Sequence, residues 1–539
     1  MSIPINFFTW ICALLPILAI LVLMVGFKWS ASKAGPIGWF IALIVGITVF
    51  KANFWLLSYS SAKGMVMAFY VLYIIWGALL LYHVVNEVGG IETIGATFIE
   101  MTKNRILLLL MFGVAFVTFL QGVAGFGVPV AVGAPLLVSL GFPLTTAVAV
   151  PLIGHSWSVT FGDMASSFSS LQQATGLPGP DLAPFAAFFT GLAGVVCAFF
   201  AIHCYAGWKG VRKGWLPALV VGGVMALVQF GVAQWEPALA TFIAGIVGIV
   251  VTAFMTRFYR EEDEDLAAVI EAAASAEPGT ATKAITIKKK MNFHLAFAAY
   301  YALIVIVALQ EFVPGLEDWM KSVLVVAFKC PQYATAYGWV TKAGWSSKVG
   351  TLGHVGALLV YAAIIGIIIY SVAGYWKGEM WGKVLTKVAK DGLGSSIATS
   401  SMVLMAFIMV ETGMTYTLAK GVATAFGVVY PVLAPLVGVL GAFMTGSNTN
   451  SNVMFGAFQA QIAKILGVST LIMASAQTAG GSIGSMLAPA KVIVGTSTVG
   501  LTGREGEVIG KTLKYCLLLG VVIGILAWVM LFVIFRHVY

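Results

Sequence analysis

The chain has 539 residues, of which 60% are hydrophobic and only 9% charged. A soluble domain carries about 25% charged residues and cannot hide so much apolar surface. The composition therefore predicts an all-α polytopic membrane protein with roughly 11 to 14 spans of about 20 residues each. The formal net charge of +9 does not point to nucleic acid, because the one basic cluster outside the apolar stretches is the short run Lys288-Lys289-Lys290.

The first 27 residues lack a basic leader region and a small-residue cleavage site, so they read as a retained first span. Apolar stretches follow near 36–50, 65–85, 105–121, 183–205, 216–233 and 237–256, then near 293–313, 354–375, 397–416, 422–444 and 512–535. The segment 257–292 carries the acidic run Glu261 to Asp265 and a basic residue cluster at each end, as expected of a solvated cytoplasmic linker. It divides an N-terminal membrane repeat, 1–256, from a C-terminal one, 293–539. A second polar segment, 314–353, is expected at the opposite interface. The five cysteines, Cys12, Cys197, Cys204, Cys330 and Cys516, are odd in number and form no C-x-x-C pair. They indicate neither a disulfide framework nor a zinc site. No H-E-x-x-H or histidine cluster is present, so no enzyme, metal or cofactor is expected.

The two halves carry weakly matched landmarks at constant spacing. Glu87 and Glu411 lie 324 residues apart, and Gly122 and Gly446 each follow 35 residues later. Gly141 and Gly154 then match Gly467 and Gly480 at an offset of 326. Duplication in a membrane protein suggests a transporter, and inverted copies would meet at a midplane site.

Two matched regions depart from plain apolar helix. Q-G-V-A-G-F-G-V-P-V at 121–130, with Gly125 and Gly127, should break a helix. The run from Ser447 through Asn448, Thr449, Asn450 and Ser451 to Asn452 is polar at membrane depth, which is costly unless it lines a cavity or binds something. A helix restarting after such a break presents free N–H groups suited to an anion. A second pair of breaks, 153–164 and 479–491, contributes His155, Asp163, Ser482 and Lys491. Glu87, Asp163 and Glu411 are the acidic residues in apolar surroundings. Each is a candidate proton carrier, with His155 as a titratable alternative, or else a carboxylate paired for structural reasons. Glu87 and Glu411 are expected to approach the central site together. Lys491 is open to three roles: facing a substrate carboxylate, pairing with Asp163, or snorkelling to an interface.

The stretches QGVAGFGVPVAVGAPLLVSLGF, TGSNTNSNVMFGAFQAQIAKILGVS and GGSIGSMLAPAKVIVGTSTVGL, the last followed by GRE, resemble the bacterial lactate permease family over about a hundred residues. The resemblance implies a plasma-membrane (inner-membrane) secondary transporter of L-lactate, D-lactate and glycolate, generally a proton symporter. A more distant similarity to inverted-repeat carboxylate carriers implies re-entrant hairpins, Ser-Asn-Thr at a hairpin tip, and elevator-type movement. Gln121 and Asn448 stand where the family commonly has Glu and Asp, and Lys491 where relatives have Gln, so the coupling ion is open between proton and sodium. The expected partners are a small 2-hydroxy monocarboxylate, the coupling ion and the lipid bilayer, with a homodimer as a further candidate assembly. A carrier of dicarboxylate or sulfonate, which would need more cations than Lys491, and a cation antiporter are the alternatives.

Overall fold

The computed structural model describes residues 3–27, 29–99, 104–125, 127–259, 290–341, 343–501 and 503–535. The acidic run at 261–277, Lys288, Lys289 and Phe126 lie outside the described residues. Ten helices among those described are long and apolar enough to cross a bilayer. One of them, Gly179–Trp235, has 57 residues and breaks at Ala206 and Gly207, where Gly207 takes φ of 57°. At 1.5 Å per residue it would run about 85 Å unbroken, more than two bilayer cores. It therefore folds as two spans, which brings the total into the expected range. Large apolar side chains such as Leu518, Val522 and Ile525 remain exposed along Glu505–Val529, as a lipid-facing surface requires.

The longest matched pair of helices, Phe54–Glu87 and Met380–Thr412, pack together. Lys63 Nζ lies 2.9 Å from Glu411, and Lys387 Nζ lies 2.6 Å from Glu87. The start of each helix thus meets the end of the other, so the two run antiparallel. Lys63 and Lys387 are themselves 324 residues apart, as are the two glutamates, and each ion pair is the counterpart of the other. Between them Trp76 donates to Ser396 Oγ at 2.9 Å, and His83 contacts Asp391 at 2.9 Å. Gly64 and Gly392 let the chains approach: a Cβ on Gly64 would press on the Leu404 backbone, and one on Gly392 on the Trp76 ring.

Other matched positions share local geometry. Gly89 and Gly413 both take positive φ, 79° and 87°, two residues after their glutamates, and Gly141 and Gly467 do so at 81° and 67°. A Cβ on Gly154 would strike the Gly113 carbonyl, and one on Gly480 the Pro435 carbonyl. Each half also holds a helical hairpin. In the first, Arg105 at the start of one arm donates to the Leu140 carbonyl at the end of the other, at 2.7 Å. In the second, Tyr430 donates to Gln459 at 2.9 Å across Tyr430–Thr445 and Asn448–Leu466.

The all-helical expectation needs one amendment. Part of the polar segment 314–353 forms an antiparallel β-ribbon, pairing Val325–Val326 with Val349–Gly350, Lys329–Cys330 with Gly344–Trp345, and Tyr333–Ala334 with Val340–Thr341. Its strands are too short and too weakly patterned to stand out from a polar loop. All five cysteines are free, and Cys204 alone is not fully buried.

The antiparallel pair predicts reciprocal coupling. Lys63→Met and Glu411→Gln should each lower the melting temperature, and the double variant should recover part of the loss. A coupling energy of about 1–2 kcal/mol is expected for this half-buried pair, read from a thermal double-mutant cycle in detergent.

Candidate functional site

The first break follows Phe116–Val123. Ala124 is extended, Gly127 takes φ of 90°, and Val128–Ser139 begins with Pro129 in its first turn. Proline suits that position because the first N–H groups of a helix have no intrahelical acceptor. Gly127 fits against Val494, on the helix Pro489–Thr498 that carries Lys491. The backbone N–H of Gly125 donates to the Asp163 carboxylate, and a side chain at Gly125 would collide with that carboxylate.

Asp163 sits on an unusual turn. Asp163, Met164 and Ala165 all take left-handed φ, at 48°, 50° and 57°. For residues other than glycine this costs about 1–2 kcal/mol each, and such strain gathers at functional sites. Beside it is Gln121, fully buried, with neither amide atom hydrogen-bonded. Its side chain adjoins Gly125 and Gly162.

The second break follows Gly446, with φ of 75°. Ser447 is extended and caps Asn448–Leu466, its side chain accepting from the Asn450 N–H. The polar tip is joined to residues 160–167 of the first half and to Thr478 of its own half. Asn448 donates to Thr160 at 3.2 Å and to Thr478 at 3.3 Å, and Asn452 donates to Thr478 at 2.8 Å and to the Ser167 carbonyl at 2.9 Å. Thr449 and Ser167 share a hydrogen bond of 3.0 Å. Ser482 donates to the Ser156 carbonyl at 2.6 Å and accepts from the Thr160 N–H at 3.2 Å. The side-chain oxygens of Asn448, Asn450 and Asn452 are buried without partners. Ser451 faces inward instead, donating to the Gly438 carbonyl and accepting from Gln477.

Lys491 is only 5% exposed, which overturns the snorkelling alternative. Its Nζ lies 3.5 Å from His155 Nε2, while His155 Nδ1 contacts the Pro151 carbonyl at 2.6 Å. A carbonyl only accepts, so Nδ1 carries the proton and Nε2 faces the ammonium as an acceptor: the neutral tautomer. Lys491 acts on Asp163 electrostatically, but no ion pair joins them among the described residues. A cavity of about 680 Å³ reaches this region from the β-ribbon side, lined by Val325, Lys321 and His354 at one end and by Met164, Ala165 and Phe168 at the other.

The structure thus gathers Gly125, Asp163, His155 and Lys491, and links Asn448, Thr449 and Asn452 to Ser482 through Thr160 and Thr478. Glu87 and Glu411 do not join either group. Their carboxylates are held by Lys387 and Lys63 on the antiparallel helix pair. Their matched spacing marked the symmetry of two ion pairs, which sequence spacing alone does not distinguish from convergence on a site. Thr160, Ser167 and Thr478 escaped the sequence reading. The available signal for Thr478 was its place beside Gln477 in an otherwise small and apolar run. Among the described residues no group of three His, Cys, Asp or Glu side chains could hold a metal.

The family described as L-lactate permease matches residues 9–534. A glycolate permease, GlcA, of Escherichia coli K12 is 29% identical over 95% of this chain and 94% of its own. An L-lactate permease of Salmonella typhimurium is 29% identical over 97% of both chains, and one of Bacillus subtilis 26% identical over 96% of both. Among solved structures, the Alcanivorax borkumensis YdaH transporter is 15% identical, with a TM-score of 0.49 over 87% of each chain.

Thr478 holds two asparagine amides at once. Thr478→Val keeps the shape and removes that acceptor, so it should cost about 1–3 kcal/mol. Thermal unfolding of the purified variant checks this. A melting temperature equal to the parent's would mean the tip does not depend on the threonine.

Proposed function

From the premise that this chain belongs to the L-lactate permease family and is a multi-pass protein of the bacterial inner membrane, we propose that it is a proton symporter of lactate and glycolate. The substrates follow the printed names of its relatives. The observation that carries the reading is that one buried ammonium, Lys491, and the unpartnered polar atoms of Gln121, Asn448, Asn450 and Asn452 all lie in the two matched pairs of helix breaks. A 2-hydroxy monocarboxylate brings one negative charge and one hydroxyl donor. The lysine meets the charge, and an asparagine oxygen accepts from the hydroxyl. A dicarboxylate or sulfonate analogue with a second charge would want a second cation, for which His155, as the neutral tautomer, is unsuited.

Asp163 is the proton carrier in this reading. Glu87 and Glu411 are committed to lysines, and His155 faces an ammonium. The two halves are inverted copies whose hairpin tips meet at the site. The antiparallel contact of matched helices, with its reciprocal ion pairs, supports the inversion. Lys33, Arg105, Lys209, Arg212, Lys213, Arg257, Lys377 and Lys383 fall near helix ends or breaks assigned to the cytoplasm by the positive-inside bias. The β-ribbon and the 680 Å³ cavity then face outward. Elevator-type movement of the hairpins past the antiparallel helix pair is the proposed route of access, and a homodimer a proposed assembly.

Uptake of labelled L-lactate into proteoliposomes, under an imposed proton or sodium gradient, is the test. Accumulation with the proton gradient alone, competed by glycolate, is expected. Accumulation that follows sodium instead, or no lactate uptake from correctly inserted protein, would overturn the reading. Asn448→Ala and Asn452→Ala should each weaken lactate affinity by about 1–3 kcal/mol, and Lys491→Gln should weaken it while leaving some transport. Glu411→Gln should still accumulate lactate after correction for the amount of folded protein.

A further inference from the structure

The contact between Asp163 and Gly125 gives a way for one proton to admit one anion. It rests on the proposed transport of a monocarboxylate. Gly125 offers a backbone N–H at a helix break, a group suited to a carboxylate, and that N–H is already taken by a carboxylate of the protein itself. Asp163 reaches it from a strained left-handed turn. Next to both is the Gln121 amide, wholly buried and unpartnered, in a structure whose neighbouring polar tip is stitched by threonines and asparagines. An orphaned buried amide costs about 1–3 kcal/mol unless another state of the protein satisfies it.

Charge counting limits what can happen here. The helices packed around the Asp163 turn, Phe116–Val123, Pro237–Met255 and Thr470–Gly484, carry no charged residue, and Asn448–Leu466 carries only Lys464 in its last turn. Phe54–Glu87 carries Lys63 and Glu87, each held in an ion pair, with Tyr59, Tyr70, Tyr73, Tyr82 and His83 as its other titratable groups. Tyr70 lines the outward cavity, while His83 is held by Asp391. On Gly179–Trp235, Asp181 lies in the first turn and Cys197 meets Ser156. The groups facing the carboxylate are therefore Lys491 and, behind it, neutral His155. An ionised Asp163 balances Lys491. Adding a monocarboxylate alone would leave an uncompensated buried negative charge, whereas adding it with one proton would not.

We propose that Asp163 is an internal stand-in for the substrate carboxylate. Ionised, it holds the Gly125 N–H. Protonated from the bulk solution through water in the outward cavity, whose lining includes the adjoining Met164 and Ala165, it turns its hydroxyl to Gln121 Oε1 and yields the N–H and Lys491 to the incoming anion. Release of the anion on the other side lets Asp163 lose its proton there and retake the N–H. One carboxyl proton and one monocarboxylate move together, and Gln121 acts as a positioning residue that holds the protonated form.

The test is calorimetric titration of purified parent, Asp163→Asn and Gln121→Leu with L-lactate at several pH values, repeated in two buffers of different ionisation enthalpy to count protons. The parent should take up about one proton per lactate, and its affinity should fall about tenfold per pH unit above the transition. In Asp163→Asn, which resembles the protonated acid, affinity should no longer depend on pH and no proton should be taken up. In Gln121→Leu, which removes the acceptor for the protonated acid, the transition should move to lower pH, with affinity restored at the acidic end. An Asp163→Asn protein that keeps the parent's pH slope, or a Gln121→Leu curve superimposed on the parent's, would overturn the proposal. If Asp163→Asn does not fold, the parent's proton count and the Gln121→Leu shift decide it. A parent that binds no lactate at any pH would instead strike the transport reading itself.

Discussion

A polar group in hydrocarbon must find a partner within the protein, because no water is there to supply one. Most of this chain meets that demand by running as continuous helix. At the two breaks, 124–127 and 446–447, the helix is interrupted near a set of unusually polar side chains. The tip at 446–452 is held in part by the other half of the chain, Asn448 by Thr160 and Asn452 by the Ser167 carbonyl, and in part by Thr478 of its own half; nearby Ser482 is held by the backbone at Ser156 and Trp157, while Gly125 at the first break is held by Asp163 of its own half. Neither half supplies all of its own partners. The tip is thus tied to the first half through Thr160 and Ser167, and this arrangement exists only when both halves are folded.

Close approach makes that locking possible. Gly154 and Gly480 each admit a carbonyl of a neighbouring helix where any side chain would collide, and Gly245 admits the backbone at Phe119. Such contacts replace the hydrophobic driving force that helices lack in lipid with packing of backbone on backbone. They also explain why glycine is abundant throughout the chain without a regular period.

The charges divide into two kinds by the same constraint. Lys63, Glu87, Lys387 and Glu411 neutralise each other in pairs across the antiparallel helices and brace the two halves. Asp163 and Lys491 sense each other without touching, one bound to a backbone N–H and the other to a neutral imidazole. A charge closed in an ion pair resists change. A charge that is balanced at a distance leaves room for another anion, provided a proton accompanies it. The left-handed turn at Asp163 and the orphaned Gln121 amide lie at this second kind of place, where local rules of folding are broken in favour of chemistry.

Composition alone determined the membrane class, since 60% hydrophobic residues fit no soluble fold of this size. The polar run at 447–452 and the glycines at 121–130 marked both helix breaks, because such residues in an apolar chain are legible one by one. The matched spacing of Glu87 and Glu411 revealed a genuine correspondence, but not its meaning: only the antiparallel packing decided that each glutamate meets a lysine of the other half. In the same way, the sequence left Lys491 with three roles, and burial beside His155 removed the snorkelling one. The bond from Gly125 to Asp163, the support of the tip by Thr478 and the isolation of Gln121 were likewise decided in three dimensions. Periodicity and residue type report what a side chain prefers. Whether that preference is met depends on neighbours about 40 residues away in the case of Gly125 and Asp163, and about 320 away in the case of Thr160 and Thr478, which only the folded chain brings within hydrogen-bonding distance.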